Sequence, residues 1–120
     1  MSDFELDYGG TAYVLLRVRT AVDARTAPWL REMIASVLRE GRRFLAVDLT
    51  AGAVFGPAGF SPLIGAVRAC RDRGGDLYLI GASETAVGVL GHDMRGPVRS
   101  FASRDELDRA LLGCAPVGGV

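Results

Sequence analysis

The segment that most restricts the fold is 44–73. Phe44-Leu45-Ala46-Val47 is an unbroken apolar run that closes on Asp48-Leu49-Thr50. Without polar alternation it reads as a strand covered on both faces, and such strands occur mainly in parallel sheets flanked by helices. A loop, Ala51-Gly52-Ala53-Val54-Phe55-Gly56-Pro57-Ala58-Gly59, follows. Phe60, Leu63, Ile64, Val67 and Arg71 then recur at i, i+3 and i+4, the apolar ones marking one helix face. Ser61 before Pro62 predicts a regular helix from about Pro62, with Ser61 as its N-cap and 56–60 as an irregular lead-in. The turn from Thr50 to Ser61 is therefore the expected functional surface.

The flanking chain alternates in the same way. Phe4-Glu5-Leu6-Asp7-Tyr8, the turn signal Gly9-Gly10 and the apolar residues from Tyr13 to Val18 predict an antiparallel hairpin. A helix follows, capped by Asp23 or Thr26 with Pro28 in its first turn and Leu30, Met33, Ile34, Val37 and Leu38 on one face; Gly41 stops it. After the 62–73 helix, Asp76 to Ile80 is a strand, and Ser83-Glu84-Thr85 caps a short helix ending near Gly91. Pro97 to Phe101 is a brief strand, and Ser103-x-x-Glu106 is a capping box before a closing helix with Leu107, Ala110 and Leu111 on one face. The order is ββαβαβαβα, an α/β fold with a mixed, mostly parallel sheet flanked by helices. Residues 1–112 form one domain, and 113–120 read as a flexible tail.

Charge and composition exclude several functions. The formal net charge is zero, with 14 basic and 14 acidic residues, so no field favours nucleic acid or an anionic membrane. All the basic residues are arginine, which removes P-loop, Schiff-base and general-base lysines. No apolar run approaches the roughly 18 residues of a membrane span, and the acidic start lacks a secretory signal, so a cytoplasmic protein without membrane insertion is expected. His92 is the single histidine, which rules out a two-histidine metal site. Cys70 and Cys114 have no CxxC spacing and read as idle thiols. Gly59-Phe60-Ser61-Pro62-Leu63 lacks the second glycine of a nucleophile elbow. Asp48 is read as holding loop amides, and Arg68, Arg71 and Arg73 as a solvated helix face bordering the functional turn. Neither a cofactor site nor an enzymatic activity is expected.

Three stretches carry a family resemblance: Thr20-Ala21-Val22-Asp23-Ala24-Arg25-Thr26-Ala27, Phe44-Leu45-Ala46-Val47-Asp48-Leu49-Thr50, and Phe101 to Leu111. In this order and spacing the chain, from about Phe4 to Leu112, resembles a STAS domain, the fold of bacterial anti-sigma factor antagonists and of sulfate-transporter tails. In that family the loop after the central strand reads Asp-Ser-Ser/Thr-Gly, and a partner kinase phosphorylates its second hydroxyl. Aligned on the glycine before the helix, those places hold Gly56, Pro57, Ala58 and Gly59. The acceptor hydroxyl has become the methyl of Ala58, which cannot take a phosphate.

The resemblance implies a non-enzymatic regulator of transcription that works by partner switching. It would dock a serine-kinase-type anti-sigma factor through Asp23, Val54, Phe55, Gly56, Pro57, Ala58, Gly59, Phe60, Ser61 and Arg68. Two readings of the altered loop remain open, a constitutive antagonist or a degenerate domain whose loop serves another contact. The alternatives in other classes are an accessory or scaffold subunit of a lipid-transport or stress-signalling assembly, and a small-ligand sensor. Ser61 and Thr50 are read as an N-cap and a strand-end residue rather than as replacement acceptors.

Overall fold

The computed structural model describes residues 4–9, 12–52, 54–92 and 97–113. The apolar run from Phe44 is the middle strand of a five-stranded sheet ordered β1(Phe4–Asp7), β2(Val14–Val18), β3(Phe44–Asp48), β4(Asp76–Ile80), β5(Arg99–Phe101). β1 pairs antiparallel with β2, and every later pair is parallel. The helices are α1(Ala27–Arg39), α2(Phe60–Asp72), α3(Glu84–His92) and α4(Arg104–Gly113), and Pro57–Gly59 forms a 3-10 turn before α2. This is the expected ββαβαβαβα order.

Because the parallel strands are added in one direction and such crossovers are right-handed, α1, α2 and α3 share one face of the sheet. Leu30, Ile34, Val37, Leu63, Val67 and Leu90 pack there on Val14, Leu16, Leu45, Val47, Leu77 and Leu79. α4 covers part of the other face, where Leu107 meets Tyr13, Leu15, Ala46, Tyr78 and Ile80. The middle strand is thus buried on both sides, which is why its sequence carries no alternation. Polar contacts pin α4. Arg104 Nε donates to Tyr13 Oη at 3.2 Å, its Nη1 lies 3.3 Å from Asp7 Oδ2, and the Tyr13 hydroxyl donates to Asp108. The cap half of the box forms, with Ser103 Oγ accepting the Glu106 N–H at 3.2 Å; the Glu106 carboxylate accepts the N–H of Ala102, one residue ahead of the cap, at 2.8 Å.

Three expectations are corrected. A two-residue Gly9-Gly10 turn would set Tyr8 against Thr11, but the last pair of the β1–β2 ladder is Asp7 with Leu15. The whole ladder is thus set three residues away from the register of a two-residue turn, and Tyr8, beyond its end, donates its hydroxyl to Glu40 with Arg42 over its ring at 5.5 Å. Second, α2 starts at Phe60, so Pro62 is its third residue and Ser61 is not its cap. The first helical N–H groups have no intrahelical acceptor, so a proline there forfeits no bond. Third, Arg71 is half-buried rather than part of a solvated face. Its Nε donates to Asp76 Oδ1 and its Nη2 to the Pro97 carbonyl, both at 3.0 Å, tying α2 to β4 and to the approach of β5.

Cys70 is buried in the three-helix core, and burial followed by the negative Asp76 pushes its thiol up to about 11, as an idle thiol requires. Gly10, Thr11, Ala53, Cys114 and the rest of 114–120 lie outside the described residues, whereas Gly113, assigned to the tail by sequence, closes α4. Gly88, within α3, has open space where a Cβ would stand. Gly88→Ala is therefore expected to raise stability by about 0.5–1 kcal/mol, read as a higher melting temperature.

Candidate functional site

Two loops leave the same end of the sheet, one after β2 and one after β3, and backbone hydrogen bonds join them. The Val22 N–H donates to Val54 O, and the Gly56 N–H donates to Val22 O, each at 2.9 Å, giving a single parallel rung between Val22 and Phe55. The Gly59 N–H then donates to Gly56 O at 2.9 Å and turns the chain into α2. Gly59 is buried against Val22, so closely that a Cβ on it would stand 2.3 Å from the Val22 carbonyl oxygen. Its φ of −75° suits any residue; close approach is what demands glycine. Gly56, by contrast, would place a Cβ at ordinary contact distance, 3.8 Å from Val22 O and 3.9 Å from Asp23 Cβ.

Asp23 therefore stands beside the 54–59 loop. Its Oδ1 accepts the N–H of Arg25 at 2.9 Å and of Thr26 at 3.2 Å, while its own N–H donates to Thr26 Oγ1 at 3.1 Å. The expected capping is thus done by Asp23 one turn ahead of α1. Thr26 bonds inward to Ala21 O at 2.8 Å. The two backbone N–H groups, Arg25 first, and then the Arg25 charge hold the Asp23 carboxyl below its ordinary value of 3.8. A carboxyl with a lowered folded-state pKa adds stability that is present above the ordinary value and lost as pH falls through the folded one. Asp23→Asn is accordingly expected to flatten the fall in melting temperature between about pH 5 and pH 3 relative to the parent protein.

The loop's apolar residues build a ridge. The Phe55 and Phe60 rings stack with centroids 5.3 Å apart and planes 25° apart, and both half-buried side chains pack on the three-helix core. On one side is an open groove of about 480 Å³ bounded by Leu49, Val54, Ala82 and Thr85. On the other is one of about 490 Å³ bounded by Pro57, Ser61, Ile64 and Val89. Val54 is 71 % exposed at the crest. Pro57, Ala58 and Ser61 are exposed around it, and Arg68 is exposed two turns down α2. Thr50 stays at the strand end, where Asp48 Oδ1 accepts its N–H at 2.8 Å and its hydroxyl at 2.6 Å. The structure thus brings Asp23 and 54–61 together on one surface, and sets Arg68 at its margin.

Sequence reading missed part of this surface. Val89, 37 % exposed, and Thr85 come from α3, whose distance along the chain gives no hint of proximity. Trp29 was also passed over, although it lies off the stripe of Leu30, Ile34 and Val37. It is 62 % exposed in the first turn of α1, directly after the Asp23 turn. The described residues hold no cluster of metal-ligating side chains and no helix long and apolar enough to cross a membrane.

Comparison with known proteins places this geometry. The SpoIIAA structure in its unphosphorylated form superposes with a TM-score of 0.74 at 19 % identity, covering 92 % of this chain and 98 % of that one. The phosphorylated form of the Bacillus cell fate determinant SpoIIAA gives 0.71 at 21 % identity, over 89 % and 98 % of the two chains. An anti-sigma factor antagonist from Mycobacterium paratuberculosis gives 0.71 at 20 % identity, over 91 % and 92 %. At such identities the likeness establishes the fold, a five-stranded, mostly parallel sheet with four helices. A search of curated proteins finds no significant match. The sequence profile of the STAS domain matches residues 7–90, well over half of the chain, and the protein belongs to the STAS domain family.

Proposed function

We propose that this protein is a non-enzymatic, cytoplasmic antagonist that docks a kinase-fold anti-sigma factor through Asp23 and the 54–61 ridge and is not switched off by phosphorylation at Ala58. The supporting observation is the ridge itself. An exposed Val54 adjoins a Phe55–Phe60 stack on a loop fixed to Val22, and a methyl stands at the place of the family's acceptor. Large apolar side chains left at a rigid, solvent-facing position are what a partner's hot spot buries. A neutral loop keeps the docking shape and charge that phosphate would disturb.

Native mass spectrometry with the kinase-fold anti-sigma factors of the same genome, with and without ATP, tests this. The expected result is a stable complex and no covalent mass gain. Phosphate on Ser61 or Thr50 would reveal a displaced switch, and no complex with any of them would favour the accessory-subunit reading. Trp29 supplies a second check. Trp29→Ala is expected to leave the melting temperature within a degree or so, because the indole is exposed, while weakening the complex by about 1–2 kcal/mol.

A further inference from the structure

We infer that the groove between α1 and α2 receives an acidic helical segment of the partner, its carboxylates meeting Arg31 and Arg68; the assignment rests on the docking proposed above. The groove holds about 320 Å³ and is bounded by Arg31, Ala35 and Leu38 from α1 and by Pro62, Gly65 and Ala66 from α2. It is continuous with the ridge, since Ser61 borders both this groove and the one beside Phe60.

Charge identifies the occupant. Among the described residues neither Arg31 nor Arg68 makes a salt bridge, although both are exposed. The carboxylates that could have quenched them are placed otherwise. Glu32 is held by Arg39 at 3.0 Å, and Asp72, one turn beyond Arg68, forms no ion pair with it. Arg31 borders the groove and Arg68 lies one turn beyond Gly65 on α2, and guanidinium is suited to forked recognition of carboxylate. Shape selects a helix. A furrow between two packed helices accepts a third by the same ridge-and-groove fit, and at Gly65 nothing lies within 4 Å of where a Cβ would stand, leaving room for the incoming side chains. Leu38, Pro62 and Ala66 give the furrow an apolar floor. A phosphate backbone would leave that floor uncovered, whereas an amphipathic helix with carboxylates flanking an alanine and leucine face would bury it.

The test titrates the isotope-labelled protein with a helical peptide of that pattern, glutamates on both flanks of an alanine and leucine face, followed by amide NMR. Shifts are expected at 31–38 and 61–68, with affinity falling as salt rises. The double substitution Arg31→Glu and Arg68→Glu is expected to weaken the peptide at least about 10-fold. Gly65→Leu, which fills the furrow from open space and so keeps the fold, is expected to do the same with no fall in melting temperature. Absence of shifts at those residues, equal binding of a lysine version of the peptide, or variants within about twofold of the parent would overturn the inference. Val54→Asp separates it from the docking proposal. If Val54→Asp abolishes binding of the anti-sigma factor while the double arginine variant binds it like the parent, the groove assignment fails alone. If Val54→Asp leaves that binding intact, the docking reading fails, and the peptide titration decides the groove by itself.

Discussion

Gly59→Ala is expected to lower stability by about 1–3 kcal/mol and to abolish docking, even though it adds a single methyl group. The new Cβ would stand 2.3 Å from Val22 O and 2.9 Å from Val22 Cγ1, and neither can yield easily. Val22 is fully buried, its N–H is committed to Val54 O and its carbonyl to the Gly56 N–H. Relief must come from the loop moving away, which breaks one or both of those bonds at about 1 kcal/mol each and shifts Phe60, the next residue, off the Phe55 ring. For a domain of this size each kcal/mol corresponds to a fall of roughly 4 °C or more in melting temperature. The control is Gly65→Ala, the same chemical change on α2 where a Cβ meets nothing within 4 Å; it should stabilise slightly. A Gly59→Ala protein that melts with the parent would show that the two loops are not fixed to each other as described.

Gly59 also illustrates how far the sequence could be read. The residue was legible as the family's glycine, but its physical duty was not, because the atom that forbids a side chain there belongs to Val22 on another loop. Elements whose signals are local were recoverable. Phe44–Asp48 announces two-sided burial by its lack of alternation, and Ser103 with Glu106 announces a helix start by a bond that spans three residues. Signals that depend on a distant partner misled. Ser61 before Pro62 looks like a cap, yet the 3-10 turn Pro57–Gly59 leads straight into a helix that begins at Phe60. Gly9-Gly10 looks like a tight turn, yet the strand register pairs Asp7 with Leu15. Of the candidate site, 54–61 and Asp23 were legible because they are contiguous or tied to a motif. Thr85 and Val89 were not, since only the fold brings α3 to the same surface.

If the proposed docking holds, the triple substitution Gly56→Asp, Pro57→Ser and Ala58→Ser is expected to let the anti-sigma kinase add a single phosphate and thereby to release the kinase. The local structure permits the change. A side chain at 56 makes only ordinary contacts, 3.8 Å to Val22 O and 3.9 Å to Asp23 Cβ, while Pro57 and Ala58 face solvent. Replacing Pro57, at the first position of the 3-10 turn, removes no hydrogen bond, because its ring had no N–H to give. The restored hydroxyl at 58 lies on the exposed side of the turn, ahead of α2 and beside the Phe55–Phe60 ridge. Phosphate there adds about −1.5 to −2 charges to the surface proposed to dock by burying Val54 and its neighbours, and the partner would have to strip that charge of water. Intact-mass measurement with kinase and ATP reads the first half of the expectation, and calorimetric titration of the separated phosphorylated form reads the second. A phosphate on the parent protein would refute the role given to Ala58. Equal affinity of the phosphorylated and unphosphorylated variants would instead refute the ridge as the docking surface, because a doubly charged group cannot sit at the margin of a buried apolar contact without cost.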